Sequence, residues 1–383
     1  MKVYIALYSK INQPTEHTSP ALTEADRLMT ICNSCRYCEG LCAVYPAMEM
    51  RRTFLDGDLN YLANLCHDCG ACFIDCQFAP PHEFNVNVPK TFATVRSDTY
   101  QTYTWPSFLA PFFERNGLFV GVFSAFSVAI FIIIFVALKD MSALWSVQTG
   151  PNAFYRLMPH NLMVIIFGSV SVYVLLAIGM SIRKFWRDID KNNKQIIKSD
   201  NLWRSIKDAS TLRYLDGGGS GCYSGDNTNN TNNDNRRLYH HFTFYGFILC
   251  FISTSVATFY HYFLNIVAPY EWYDLPVLIG TIGGIGLIVG PIGLLKSKLN
   301  RDLETQDKTR FGMDLAFLVM LFLTSFTGLI LMFLRSSPAM GLLLAIHLGV
   351  VFSLFITIPY SKFMHGIYRF LALVRYAQER SKL

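Results

Sequence analysis

The chain has 383 residues, 52% hydrophobic and only 16% charged, with 31 Phe, 20 Tyr and a mean hydropathy of +0.29. That balance excludes an ordinary soluble multidomain protein and places much of the chain in a membrane. The formal charge of +6 is therefore read first as a topology signal and not as nucleic-acid binding.

The N-terminal stretch Met1 to Lys10 has no long apolar core followed by a small-residue cleavage site, so no signal peptide is expected. Residues 1–115 are mixed and polar and form a soluble head. Within it, Thr23-Glu-Ala-Asp26 reads as a helix start that carries into the first of two cysteine groups.

Eight of the ten cysteines lie between Cys32 and Cys76, in two groups of one spacing: Cys32-x2-Cys35-x2-Cys38-x3-Cys42 and Cys66-x2-Cys69-x2-Cys72-x3-Cys76. Three closely spaced thiolates hold three corners of an iron-sulfur cube, and the fourth cysteine of each group completes the other cube, as in two-cluster ferredoxins. The expected sets are Cys32, Cys35, Cys38 and Cys76 for one [4Fe-4S] cluster, and Cys66, Cys69, Cys72 and Cys42 for the second. Ala43 and Gln77 stand where such motifs usually carry proline, with Pro46 and Pro80 displaced downstream. Disulfides are disfavoured in a reducing compartment, and zinc sites typically use separated pairs. The linker from Cys42 to Cys66 contains Leu59-Asn-Tyr-Leu-Ala-Asn-Leu65 and is long enough for a helix. His67 and His82, near the second group, read as hydrogen-bonding neighbours of the ligands.

Residues 116–383 carry six apolar stretches, 118–138, 162–182, 240–263, 275–295, 313–334 and 342–362, each near or above the roughly 20 residues needed to span a bilayer. The fourth is rich in glycine (Gly280, Gly283, Gly284, Gly286, Gly290), which reads as close helix packing; no preceding strand supports nucleotide binding. Eleven Lys or Arg between 183 and 239, five in 296–312 and four after 362 contrast with Lys139, Arg156 and Arg335 in the opposite loops. The positive-inside rule then puts both termini and the head in the cytoplasm, which fits a multi-pass protein of a bacterial inner membrane. A Gly- and Asn-rich insert over 215–237 reads as a flexible loop holding Cys222, a stray thiol; Cys250 reads as helix packing.

Histidines mark the third and sixth spans. His347 and His365 are 18 residues apart, five helical turns or about 27 Å, on nearly one face. That spacing suits two stacked b-type haems. Matching depths pairs His240 or His241 with His365 on the cytoplasmic side and His261 with His347 on the far side, with His160 as a spare far-side candidate. One or two haems follow. No flavin or nicotinamide site, P-loop or nucleophile with a partnered base is present, so the chain itself carries electrons and any substrate oxidation falls to a partner. The aromatic segment Trp105 to Phe113 reads as an interfacial anchor, with a neighbouring quinone pocket as the alternative.

The expected architecture is all-α: a helical two-cluster ferredoxin-like head followed by a six-helix transmembrane bundle. The head resembles the helical two-cluster domains of succinate dehydrogenase and heterodisulfide reductase subunits. More specifically, Leu28-Met-Thr-Ile-Cys-Asn-Ser-Cys-Arg-Tyr-Cys-Glu-Gly-Leu-Cys42, the run from Leu65 to Phe84 and Arg236-Arg-Leu-Tyr-His-His-Phe-Thr-Phe-Tyr-Gly-Phe247 resemble the tricarballylate or citrate utilization protein B family. That resemblance implies iron-sulfur centres and b-type haem. It also implies reoxidation of the FAD of a soluble partner, a tricarballylate dehydrogenase, with electrons passed to the membrane quinone pool. A heterodisulfide-reductase-like or nitrate-reductase-gamma-like subunit serving another enzyme is the alternative, and a membrane redox sensor a remoter one.

Overall fold

The structure, a computed structural model, describes residues 16–191, 196–215, 235–301, 303–305 and 311–381. The N-terminal residues read for a signal peptide, Cys222 and most of the Gly- and Asn-rich insert lie outside the described residues. Among the described residues the fold is helical throughout, with no strand.

In the head, α1 (Pro20–Cys35) starts three residues before the Thr23 expected from sequence. Ser19 caps it through Leu22 N–H, and Pro20 supplies the fixed φ suited to the first helical position. It ends at Arg36, which turns left-handed at φ 56 and frees the cysteine loop from the helix. The short α2 (Val44–Glu49) follows, and then α3 (Asp56–Leu65), the linker helix expected between the cysteine groups. Nearly every residue of α3 is buried, so it is the central element of the head and not an amphipathic surface helix. A short α4 (Ala71–Ile74) carries Cys72, and α5 (Val88–Tyr103), capped by Asn87, closes the head.

Six long apolar helices follow: α6 (Asn116–Lys139), α8 (His160–Ile189), α10 (Arg236–Phe259, extended by a π turn over Tyr260–Leu264), α11 (Leu275–Leu299), α12 (Phe311–Phe333) and α13 (Met340–Thr357). A short α7 (Ala153–Leu157) precedes α8, and α9 (Ser199–Ser210) precedes α10. Each of the six long helices is long and apolar enough to cross a membrane. They expose large apolar side chains such as Val122, Phe126, Ile165, Leu175, Phe251 and Ile282, a surface suited to lipid. The glycines of α11 pack as read from the sequence. A Cβ at Gly283 would meet the Cys250 backbone nitrogen at 2.9 Å, and one at Gly290 would meet Thr243 N at 2.7 Å, so α10 and α11 touch backbone to backbone. Gly290→Leu should therefore force the two helices apart. The expected result is loss of a monodisperse, folded protein in detergent, against retention for the open-space control Gly168→Leu.

The head core does not stop at residue 115. It continues through Phe185 and Ile189 at the end of α8 and through Tyr368, Ala372 and Tyr376 of the C-terminal α14 (Met364–Arg380). Helix α8 therefore extends past the expected 182, because Phe185 and Ile189 are buried one turn apart among charged neighbours. The joint is closed by ions. Arg51 pairs with Glu379 at 2.5 Å and Asp58 at 2.7 Å, Arg375 pairs with Glu379 at 3.0 Å and Asp190 at 2.5 Å, and Tyr61 donates to Glu379 at 3.0 Å. Arg51 and Glu379 are each only 9% exposed, so Glu379→Ala leaves Arg51 and Arg375 with one carboxylate each and the buried Tyr61 hydroxyl without its acceptor, and should cost about 1–3 kcal/mol. Thermal unfolding in detergent measures this.

Candidate iron-sulfur and haem sites

The eight head cysteines are free thiols that fall into two crossed sets. Cys32 and Cys35, in the last turn of α1, and Cys38 beyond it line one cavity together with Cys76, Ile31, Tyr37 and Phe78. Cys66 caps the end of α3, and with Cys69 and Cys72 it lines a second cavity with Cys42. Each fourth cysteine thus stands with the opposite group. Tyr45, 2% exposed, and Cys72 line both cavities, with the Tyr45 hydroxyl in hydrogen-bonding reach of Cys38 and Cys72.

The donor chemistry fits iron-sulfur cubes. Among the described residues no three His, Cys, Asp or Glu side chains converge on a single point suited to one ion. Cysteines at the corners of a cube are more widely spaced than the ligands of one metal. Burial pushes the Cys32 thiol up to about 12 and the Cys38 thiol to about 11, and raises Cys42 and Cys72 as well. Without metal these groups are neutral at pH 7, and iron loading releases their protons. Hydrogen bonds reach the sulfurs: the Asp68 amide donates to Cys66 Sγ at 3.4 Å and Gln77 Nε2 to Cys35 Sγ at 3.8 Å.

The two sets face different surroundings. Near the first, Tyr37 is 70% exposed and Arg36, Glu39 and Gly40 reach solvent. The second is turned inward, with Cys66 and His67 buried. His67 Nδ1 donates to the Leu65 carbonyl at 2.9 Å, and burial followed by Arg369 lowers its pKa, so it is a neutral supporting side chain. His82 accepts from Phe84 N–H and packs on Phe78.

Of the candidate haem histidines, the structure brings together His240, in the first turns of α10, and His365, at the start of α14. Their ring centroids are 6.2 Å apart with planes at 72°. Two imidazoles on opposite sides of one metal, each bonded at about 2 Å, have centroids about 6 Å apart. His365 Nδ1 faces the Lys362 carbonyl, which can only accept, so Nδ1 carries the proton and Nε2 keeps its lone pair. The buried Nδ1 of His240 has no hydrogen-bond partner among the described residues. His241 turns aside to Tyr245, at 5.7 Å. His240 and His365 are thus the pair of described histidines that could hold a haem iron between them.

The far-side pairing from sequence is not what the structure assembles. His261, carried on the π turn, stacks on His160 at 4.0 Å and 17°, with Tyr155 edge-on to both. Stacked rings that close leave no room for a metal between them. Depth matching alone could not reveal this, because a π turn rotates the residues it carries off the helical phase. His347 lies against Gly328, and its Nδ1 donates to Thr327 Oγ1 at 3.0 Å, since the Thr327 hydroxyl itself donates to Leu323 O. The Nε2 of His347 is thereby left unprotonated.

Sequence reasoning missed the four arginines that gather on the second cysteine loop, namely Arg96, Arg236, Arg301 and Arg369. Their signal was an isolated guanidinium in apolar or aromatic surroundings, as in Tyr368-Arg-Phe-Leu371.

A cysteine-rich helical head on six apolar spans defines a membrane-spanning iron-sulfur electron-transfer protein. The family model "Citrate utilization protein B" matches residues 115–383, and the "Citrate utilization protein B Fer4-like domain" matches 25–102. The Escherichia coli protein named "Citrate utilization protein B" is 47% identical over 363 residues, 94% of this chain and 93% of its own length. The chain belongs to the citrate utilization protein B family. No solved structure matches it.

Proposed function

We propose that the protein takes electrons from the reduced FAD of a soluble dehydrogenase acting on tricarballylate or a related tricarboxylate and delivers them to membrane quinone, in support of citrate or tricarballylate utilization. Two [4Fe-4S] clusters in the crossed cysteine sets and a b-type haem between His240 and His365 would supply the one-electron carriers this requires. The observation that carries the reading is the arrangement of the three sites. The first cysteine set opens to solvent beside Tyr37, where a soluble partner can reach it. The second lies inward, and Arg369 links it to α14, which also holds His365 one turn away. Lys and Arg gather at the head end, which supports a cytoplasmic side for the head and both termini on a bacterial inner membrane.

His347 is the second haem candidate, with Nε2 available, and His160 or His261 completes a far-side site only if their stack opens. The name of the Escherichia coli relative, together with the resemblance to the tricarballylate family, points to the substrate class. The test uses full-length protein in detergent under anaerobic conditions. Addition of a quinol, or of the reduced flavoprotein partner, should bleach the cluster absorbance and raise a reduced b-type band near 560 nm. No spectral change with either donor would sink the proposal.

A further inference from the structure

The loop carrying Cys66 and Cys69 is gripped by four guanidiniums from four places in the fold. Arg96 of α5 donates to Ala63 O at 3.1 Å and Cys66 O at 3.0 Å. Arg369 of α14 donates to Cys66 O at 2.8 Å. Arg236, in the first turn of α10, donates to His67 O at 3.1 Å and Asp68 O at 3.0 Å, and Arg301, just beyond α11, donates to Asp68 Oδ2 at 2.7 Å and to Asp68 O. Arg301 at 2.7 Å and Arg96 at 3.9 Å both face the Asp68 carboxylate.

The grip has two consequences. Asp68 sits at φ 56, a left-handed conformation that a non-glycine residue adopts at a cost, and in that conformation its amide points at Cys66 Sγ. The arginines hold both its carbonyl and its carboxylate and so fix that N–H···S bond. They also concentrate positive charge beside the second set, with Arg96 and Arg369 both on the carbonyl of Cys66 itself. Around the first set the described residues show Arg36, which donates to Asn33 O at 3.1 Å but is exposed and screened by water.

We propose that Arg96, Arg236, Arg301 and Arg369 are positioning residues that make the second cluster the higher-potential one and so set the direction of electron flow from head to membrane. This rests on the two-cluster reading above. Reduction adds one electron and no proton to a cube held by four thiolates, so its net charge becomes one unit more negative. Fixed cations and N–H···S bonds stabilise that added charge and raise the potential. The electron comes from the partner's flavin in service, and from dithionite in the test. Three of the four arginines belong to the membrane-spanning part or to α14, so the same contacts tie this cluster to the side that bears His240 and His365.

The test is a potentiometric titration of the full-length protein in detergent, followed by electron paramagnetic resonance. Wild type should show two one-electron waves, assigned by the loss of one in Cys35→Ser and of the other in Cys69→Ser, with the second set at the higher potential. Arg236→Gln and Arg301→Gln should each lower the second wave and leave the first in place. Arg236→Lys, which keeps charge, should recover most of the shift, and the exposed Arg52→Gln should move neither wave. An unmoved second wave in either glutamine variant that still carries wild-type iron and sulfide overturns the proposal, as does an equal fall of both waves. If one glutamine variant loads less iron, the other carries the test. A wild-type sample without two cluster waves overturns the functional reading itself, and this is seen before any variant is made.

Discussion

Replacing Cys76 with serine should remove the cluster held mainly by the other cysteine group, taking iron and sulfide from about eight to about four per chain after haem is subtracted. The reason is spatial. Cys76 belongs in sequence to the group that starts at Cys66, yet it lines the cavity of Cys32, Cys35 and Cys38. Cys42→Ser is the mirror experiment, because Cys42 stands with Cys66 and Cys69. Each variant should keep the resonance signal of the cluster whose three-cysteine run shares its own sequence group. If the cysteines instead paired within each group, Cys76→Ser would abolish the signal of the Cys66, Cys69 and Cys72 cluster. The loss extends to stability: metal binding to a site that exists only in the folded chain is folding free energy, on the order of 10 kcal/mol for structural metal sites. The damaged head should therefore become protease-sensitive around α1 or α3, next to the missing cluster.

The second large effect is expected at His365. His365→Ala removes one of two imidazoles placed 6.2 Å apart and should lower haem content by one per chain while leaving iron and sulfide of the clusters unchanged. Electrons would then stop in the head. Quinone reduction by the reduced partner should fall by more than the roughly 10- to 100-fold typical of losing a supporting residue around a metal ligand. His240→Ala should behave alike, and His241→Ala should keep the haem, because its ring turns to Tyr245. Equal haem content in all three variants would remove His240 and His365 from the ligand set.

The six spans could be read from the sequence because an apolar run of about 20 residues has few other uses, and their ends in the structure differ by only a few residues except at α8 and at α13, which stops at Thr357 where 362 was expected. At α8 the chain stays helical through Phe185 and Ile189 because the head core buries them, a tertiary reason invisible to hydropathy. The cysteine spacing led to two crossed sets, and in the structure Cys76 lines a cavity with Cys32, Cys35 and Cys38 while Cys42 lines one with Cys66, Cys69 and Cys72. What escaped was the contribution of segments distant in sequence. The C-terminal α14 reads as a basic tail, yet Tyr368, Ala372 and Tyr376 recur at four-residue intervals and form a core face, while Arg369 reaches back to Cys66. Depth matching paired His240 with His365, and their rings lie 6.2 Å apart, but not on the one continuous helix expected from His347 to His365: α13 ends at Thr357, a 3-10 turn over Ile358–Tyr360 follows, and His365 stands on the separate α14. The same matching paired His261 with His347, whereas on the π turn over Tyr260–Leu264 the His261 ring lies on His160.

The account stands most directly on composition measured in one sample. Protein purified anaerobically in mild detergent should contain about eight iron and eight acid-labile sulfide per chain beyond its haem, and its reduced-minus-oxidised spectrum should show a b-type band near 560 nm. Full clusters with no haem band would contradict the conduit at its membrane half and return His240 and His365 to structural roles. Iron and sulfide near zero would contradict it at the source.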